Sequence, residues 1–526
     1  MKSSALRVLL LLVGCTLALV VGCREVPAPT PLPTRTLPST PATAVPSPDM
    51  TQTALPSPTA EPSWTPSLPP TETPVPEPTA SVDQVVVRET AVSIPGYVYE
   101  PYLKEDFDEE HGVPYLWLDR SAYGQPSPET TELKELQAVV LENRYLRLTI
   151  VPELGGRLYE CVLKTTGQSV FYRNQVLKPT QWGPLSRERN WWLAVGGVEW
   201  AFPVSEHGYE WGVPWSYSIE LSGAETKVVL RDTEEDRLRA SVEIGLTPDC
   251  AYFTVRPQVE NPTSSAISFQ FWTNAMLTLG SQSLLPNTEF VCPAEKILIH
   301  SAGPDSGLPG ERSTVTWPTW EGRDLSWYRN WEDWLGFFVP EPTYDFVGAY
   351  NHDTDLGVVR TFSREEAPGV KLFAWGMDSA FAAEYTDDGS QYFEIWGGPT
   401  RTFWPEDDVV LQPGQSRTWT EYWFPFQGTG GLDFANREAA ISLHYEGGSM
   451  KVGLASSCGR QGALALEIGG EEIYSEQITV SPESPHLTAV PLAPGLPGDT
   501  RVSCRFVDRT GQVIASYEVS LGALGD

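Results

Sequence analysis

The sequence is short of positive charge. Only 36 Lys and Arg stand against 68 Asp and Glu in 526 residues, a formal net charge of −32. A surface this acidic repels phosphate backbones, so no nucleic-acid partner is expected and neutral ligands are the easier class. Cysteine and histidine are also sparse, at seven and six. They form no CxxC and no Cys/His cluster, so no metal site and no cofactor is expected. The NHDTD run (351–355) lacks the glycine and distal glutamate of a calcium loop and reads as a polar turn. No GxSxG, Walker loop, HExxH or Rossmann fingerprint occurs in a fitting context, which sets aside acyl-hydrolase, nucleotide and zinc-protease chemistry. Long amphipathic helical periods are scarce as well.

The chain does have a distinct beginning. Residues 1–23 carry a basic start (Lys2, Arg7), an apolar run broken by Gly14, and the ending Val20-Val21-Gly22-Cys23. The run suits an export signal better than a spanning helix. Its ending resembles the lipobox of bacterial lipoproteins, which implies lipidation at Cys23. The expected location is therefore outside the cytoplasm, held to the extracytoplasmic face of the cell membrane by buried acyl chains. Residues 24–82 follow, with 17 prolines between 24 and 80 interleaved with Thr, Ser and Ala. No packed core comes from that composition, and a disordered, extended stalk is expected.

From residue 83 the texture is that of β-sheet. Short alternating runs such as YLRLTIV (145–151), RASVEIGL (239–246) and YFTVRPQVE (252–260) are separated by Pro, Gly, Asn and Asp. The reading is all-β, with one large domain over 83–430. A GTGGLD stretch (428–433) breaks the pattern. Seven or so short strands then fit a small immunoglobulin-like β-sandwich over 431–526. Cys458 and Cys504 both lie in that segment and are the candidate disulfide pair, which export permits. Cys161, Cys250 and Cys292 remain.

Several blocks in the large domain line up with a known pattern. ENRYLRLTIVPELGGRLYECVLKTTGQSVFYRN (142–174) resembles the opening of galactose-mutarotase-like domains. GGVEWAFPVSEHGYEWGVPWSYSI (196–219) resembles the His-Gly-aromatic block of the hexose-phosphate mutarotase branch. YNHDTDLGVV (350–359) and GVKLFAWGMDSAFAAEYTDDGSQYFEIWGGPTRTF (369–403) are similar to a bacterial family of unknown function with that fold, often found with tetratricopeptide repeats. The resemblance covers about 140–430. It implies a galactose-mutarotase-like β-supersandwich and a carbohydrate ligand.

It also implies a site. Mutarotases use two histidines and a glutamate as acid and base on a sugar ring, work that needs positioned groups of suitable pKa. His207 matches one histidine and Glu394, in YFEIWGG, the base region; these are the catalytic candidates. The second histidine is missing, because FQFWTNAML puts Trp272, Thr273 and Asn274 about where it falls. That departure counts against a standard mutarotase reaction. Arg157, in PELGGRL, offers a fork of donors for hydroxyls, or else an ion pair with Glu153 or Glu160. Arg157, Asn274, Trp272, Glu199, Trp200 and Trp396 are the substrate-binding candidates. Glu199 and Glu210 flank His207, and a surface position is the plainer reading of each. Of Trp192, Trp200, Trp211, Trp272, Trp375 and Trp396, two or three are expected to line a cleft. The function expected is surface-anchored carbohydrate binding. The alternatives are a glycoside hydrolase or epimerase-like enzyme using His207 and Glu394, or a structural surface protein.

Overall fold

The computed structural model describes residues 84–181, 190–232, 236–377, 379 and 381–524. Residues 1–83, with the expected export signal, Cys23 and the proline-rich stretch, lie outside the described residues.

The alternating runs form strands as their period requires, and the fold is all-β. A 14-stranded sheet and a 9-stranded sheet make up the large part, the supersandwich architecture expected of a galactose-mutarotase-like chain. Alternate side chains of the two sheets meet between them. Phe393 and Ile395, for example, join Leu148, Ile244, Val255 and Phe337 in one continuous apolar core. Each such side chain contributes about 1.5–3 kcal/mol when withdrawn from water. The intervening residues of the 14-stranded sheet point to its other face.

Seven antiparallel neighbours of that sheet position the site. In spatial order they are Lys296–Ala302, Leu335–Phe338, Gly369–Ala374, Phe393–Gly398, Trp272–Leu277, Val198–Ala201 and Arg157–Leu163. Their register sets one row across the outer face. Phe338 pairs with Lys371, Lys371 with Trp396, Trp396 with Asn274, and Asn274 with Glu199. A slip of one residue in any of these strands would send its member of the row into the inter-sheet core. A hairpin, Leu103–Asp108 with Val113–Leu118, lies on the same side, where Tyr115 stacks on Tyr209 at 5.2 Å.

Two four-stranded sheets, beginning at Phe434, form the small sandwich. Its disulfide is not the expected one. Cys458 bonds to Cys250 of the large part, 208 residues away in sequence. Cys504 is a free thiol, fully buried on the strand Arg501–Asp508. Proximity in sequence misled here. Cys504 faces the sandwich interior, whereas Cys458 lies just past the strand Ser449–Ser456, next to Cys250 and beside the backbone bond from Ala251 N–H to Ser457 O. Arg144 adds a two-pronged ion pair to Glu483 across the same junction, at 2.9 and 3.1 Å.

A bridge closing so long a loop stabilises chiefly by restricting the unfolded chain. Cys458→Ser is expected to cost about 2–4 kcal/mol in denaturant titrations. Peptide mapping without reductant should recover Cys250 joined to Cys458; a Cys458–Cys504 peptide would refute this pairing.

Candidate functional site

The Gly196–Gly197 pair sets the local geometry. Both glycines have positive φ, +92° and +70°, and a Cβ on Gly197 would lie 2.4 Å from the Leu158 carbonyl oxygen. Only glycine turns the chain there. The turn carries it from Trp192–Gly196 into Val198–Ala201 and delivers Glu199 to the outer face.

Glu199 is buried, 2% exposed, and accepts four hydrogen bonds, two on each oxygen. Asn274 Nδ2 donates to Oε1 at 3.0 Å, and His207 Nδ1 lies 2.5 Å from the same oxygen. Arg157 Nη2 and Trp192 Nε1 both donate to Oε2 at 3.0 Å. Burial alone would raise the Glu199 pKa. Its interactions with His207 and Arg157 and these bonds outweigh it and hold the carboxyl down at about 2. Because Glu199 is ionised, it accepts the hydrogen bond from Nδ1 of His207. The imidazole is flanked by indoles, with Trp192 at 4.4 Å and Trp396 at 5.2 Å between ring centroids.

His207 and Glu394 share a cavity of about 420 Å³. Trp192, Trp334, Trp375 and Trp396 are among its walls, with Tyr385, Tyr392, Lys371 and His300. Glu394 is buried and accepts from Trp396 Nε1 at 2.8 Å. Burial raises its pKa, against the pull of Lys371 and His207. Lys371 is buried too, and desolvation brings it down to about 8 although Glu394 and Glu206 favour its charge. Its ammonium lies 4.4 Å from the centre of the Trp396 ring and 4.9 Å from that of Phe403. An ammonium beside aromatic faces gains a favourable cation–π interaction. The cavity thus combines flat apolar walls with two carboxyls, Glu394 and Glu206, an amine and two imidazoles, a set able to bind hydroxyls and move protons.

The expected site residues fall into layers. His207, Glu394 and Trp396 line the cavity, as do Trp192 and Trp375. Arg157, Glu199, Asn274 and Trp272 do not. Arg157 is wholly buried, and its partners are Glu199 and the Gly196 carbonyl rather than Glu153, Glu160 or a ligand. Asn274 has no exposure, and its Nδ2 donates to Glu199. Trp272 lies under the floor, packed on Phe403 at 4.8 Å, with its N–H given to Gln270. These four act through other residues. Trp200 faces the inter-sheet core and donates to the Gly156 carbonyl. Glu210 is buried with Arg237 and Trp215, also away from the cavity and not at the surface. Trp211 packs on Trp191.

Among the wall residues that were not anticipated, Lys371 and His300 bring a nitrogen base each. Lys371 stands in GVKLFAWG as a lone cation in an apolar strand, a visible signal. His300 comes from a β-bulge on Lys296–Ala302. It provides a second histidine from a strand other than FQFWTNAML, with Nε2 3.3 Å from Glu206 Oε1. Burial lowers its pKa, with Glu206 pulling the other way.

Residues 116–426, more than half of the chain, match the family model described as domain of unknown function DUF5107. The chain belongs to this family. Every wall residue named above lies inside the DUF5107 region. Residues 434–517 match the model for the second domain of YphG-like proteins. Among solved structures, a tetratricopeptide-repeat-domain protein of Parabacteroides distasonis is 27% identical with a TM-score of 0.54. That match covers 65% of this chain and 55% of the other, so the DUF5107 chain spans about half the length of that relative. A galactose mutarotase-like protein of Clostridium acetobutylicum is 13% identical with a TM-score of 0.37, over 56% of this chain and 96% of that one. Another, from Lactobacillus casei, is 12% identical with a TM-score of 0.36, over 55% and 99%.

The Glu199 cluster yields a stability prediction with a definite sign. A carboxyl whose folded pKa is depressed contributes stability above its unfolded value, and that stability is lost as pH falls toward the folded value. Glu199→Gln leaves Arg157 buried without its anion and is expected to cost about 3–5 kcal/mol at pH 7. Between pH 4.5 and 2 the wild type loses the contribution itself, so the gap should narrow in urea titrations. A gap constant down to pH 2 would refute the assignment.

Proposed function

We propose that this cavity captures a carbohydrate, and that the protein does so at the outer face of a membrane, tethered through Cys23. The observation that carries the reading is the meeting of His207, Glu394, Lys371 and four flat indoles in one hollow of about 420 Å³. That size suits a small-molecule pocket, for which ~300–1,000 Å³ is typical. A sugar ring has an apolar C–H face to lay on an indole and a rim of hydroxyls for side chains to bond. Indole rings bury large apolar area while ordering few torsions. The order of the sequence blocks around His207 and Glu394, which resembles that of mutarotase-like domains, supports the same ligand class.

One observation favours a second reading, turnover of the bound sugar. The ionised Glu199 orients His207, and burial holds Glu394 toward its protonated form on the same cavity. An oriented imidazole and a carboxyl of raised pKa are the parts of an acid–base pair. Glu394 would give a proton to the departing oxygen while His207 takes one from a water that bonds the anomeric carbon, as in a glycosidase. Or Glu394 would protonate the ring oxygen while His207 takes the anomeric hydroxyl proton and the ring opens, as in an epimerase-like enzyme.

Calorimetry against a broad saccharide panel tests the first reading. Binding should appear, and Trp396→Ala should weaken it about tenfold, or ~1.4 kcal/mol. A panel without a single binder would end the proposal. Glu394→Gln should keep binding; if the wild type releases or epimerises product, that variant should not. Cys23→Ser should shift the protein from the membrane fraction to the soluble fraction, and unchanged membrane association would rule out the tether.

A further inference from the structure

A second cavity, of about 440 Å³, adjoins the first across one loop. The loop is residues 203–207. It is pinched at its base, where Tyr209 N–H donates to the Phe202 carbonyl at 2.8 Å. Gly208, at φ +67°, lies so close that a Cβ would be 2.1 Å from the Phe202 nitrogen. Val204 and Ser205 line the second cavity, while Glu206 and His207 line the first. Phe403 lies between the two. It lines the second cavity and packs edge-on against Trp396 of the first at 5.3 Å.

The two hollows differ in chemistry. The first is walled mostly by rings, the second by hydrogen-bonding groups fixed by one another. Asp108 is held by the His111 ring at 2.9 Å and the Tyr209 hydroxyl at 2.8 Å on one oxygen, and by the backbone N–H groups of Glu110 and His111, each at 3.0 Å, on the other. Burial raises its pKa, but those bonds prevail and keep it at about 2, so the carboxylate is an acceptor only. Gln270 Nε2 donates to Asp408 at 2.6 Å on the same wall. Phe107–His111 come from the hairpin ahead of residue 116, where the family match begins. The second hollow is therefore closed by a segment outside the family region.

We propose that the two cavities are neighbouring sugar subsites, so that the ligand is an oligosaccharide whose second unit crosses the 203–207 ridge. This rests on the reading of the first cavity as a sugar site. The rings hold one unit by stacking. The polar array of Asp108, His111 and Gln270 bonds the hydroxyls of the next.

Calorimetry on the full chain with sugars of increasing length tests it: glucose, maltose and maltotriose; glucose, cellobiose and cellotriose; xylose, xylobiose and xylotriose; galactose and galactobiose. In at least one series the two-unit sugar should bind about tenfold more tightly than the one-unit sugar, or bind where the single unit does not. Asp108→Ala and Ser205→Trp alter the second cavity from two separate chain segments. Each should remove that gain and leave monosaccharide affinity within about twofold. Circular dichroism and melting identify a variant that fails to fold, and the other then decides. Equal affinity for one and two units, or a gain that survives both substitutions, overturns the second subsite and leaves the first cavity's reading standing. If no sugar of any length binds, both readings fall.

Discussion

Four donors converge on a carboxylate that has almost no contact with water, and the outer face of the large sheet is organised around that meeting. An unpaired carboxylate at that depth costs several kcal/mol, so Glu199 is tolerable only with its oxygens filled. The donors come from four separate places in the chain: the end of the Gly155–Gly156 turn, the strand before Gly196, the strand Trp272–Leu277, and the loop with His207. None of the bonds forms until those segments are in register. The same cluster that orients His207 therefore also fixes how its strands pair. It holds Arg157 and Asn274 in place as well, each of which gives one N–H group to Glu199 from a buried position.

Much of the fold was legible because period-two alternation is a local signal. FEIWGG announces a strand with Glu394 and Trp396 on one face, and that is how the strand lies. The same rule, applied strictly, would have excluded Trp200, since adjacent residues of a strand point opposite ways and Glu199 already takes the outer face. Depth was not legible. Trp272 and Trp396 share a face, yet one lies beneath the floor and the other in the wall, and only Phe403 and the neighbouring strands decide which. Nor was strand adjacency: Lys371 meets Trp396, and Asn274 meets Glu199, through pairings with partners 25 and 75 residues away. The missing second histidine was sought at a sequence position, whereas His300 reaches the cavity by strand order and a bulge. The cysteine pairing failed for the same reason, because nearness along the chain says little about nearness across a β-fold.

The cavity's charges are arranged by its rings as much as by one another. Lys371 faces Trp396 and Phe403, Trp396 bonds Glu394, and His207 lies between Trp192 and Trp396. Trp396 touches every titratable group in that set. Removing it changes an amine, a carboxyl and an imidazole together, so its substitution is not a simple loss of stacking area. Glu394→Gln is the narrower perturbation, since it keeps the shape and a hydrogen-bonding end while removing the proton chemistry.

The covalent link between Cys250 and Cys458 also governs how the molecule answers a pull along its backbone. Force applied at the two ends travels through residues before 250, across the sulfur bridge, and out through residues after 458. The 207 residues between the cysteines are bypassed and cannot be drawn out while the bridge holds. Asn274, His300, Lys371, Glu394 and Trp396 all sit in that sheltered loop. For a chain drawn out by its ends, most of the cavity wall would be shielded from tension by a single bond.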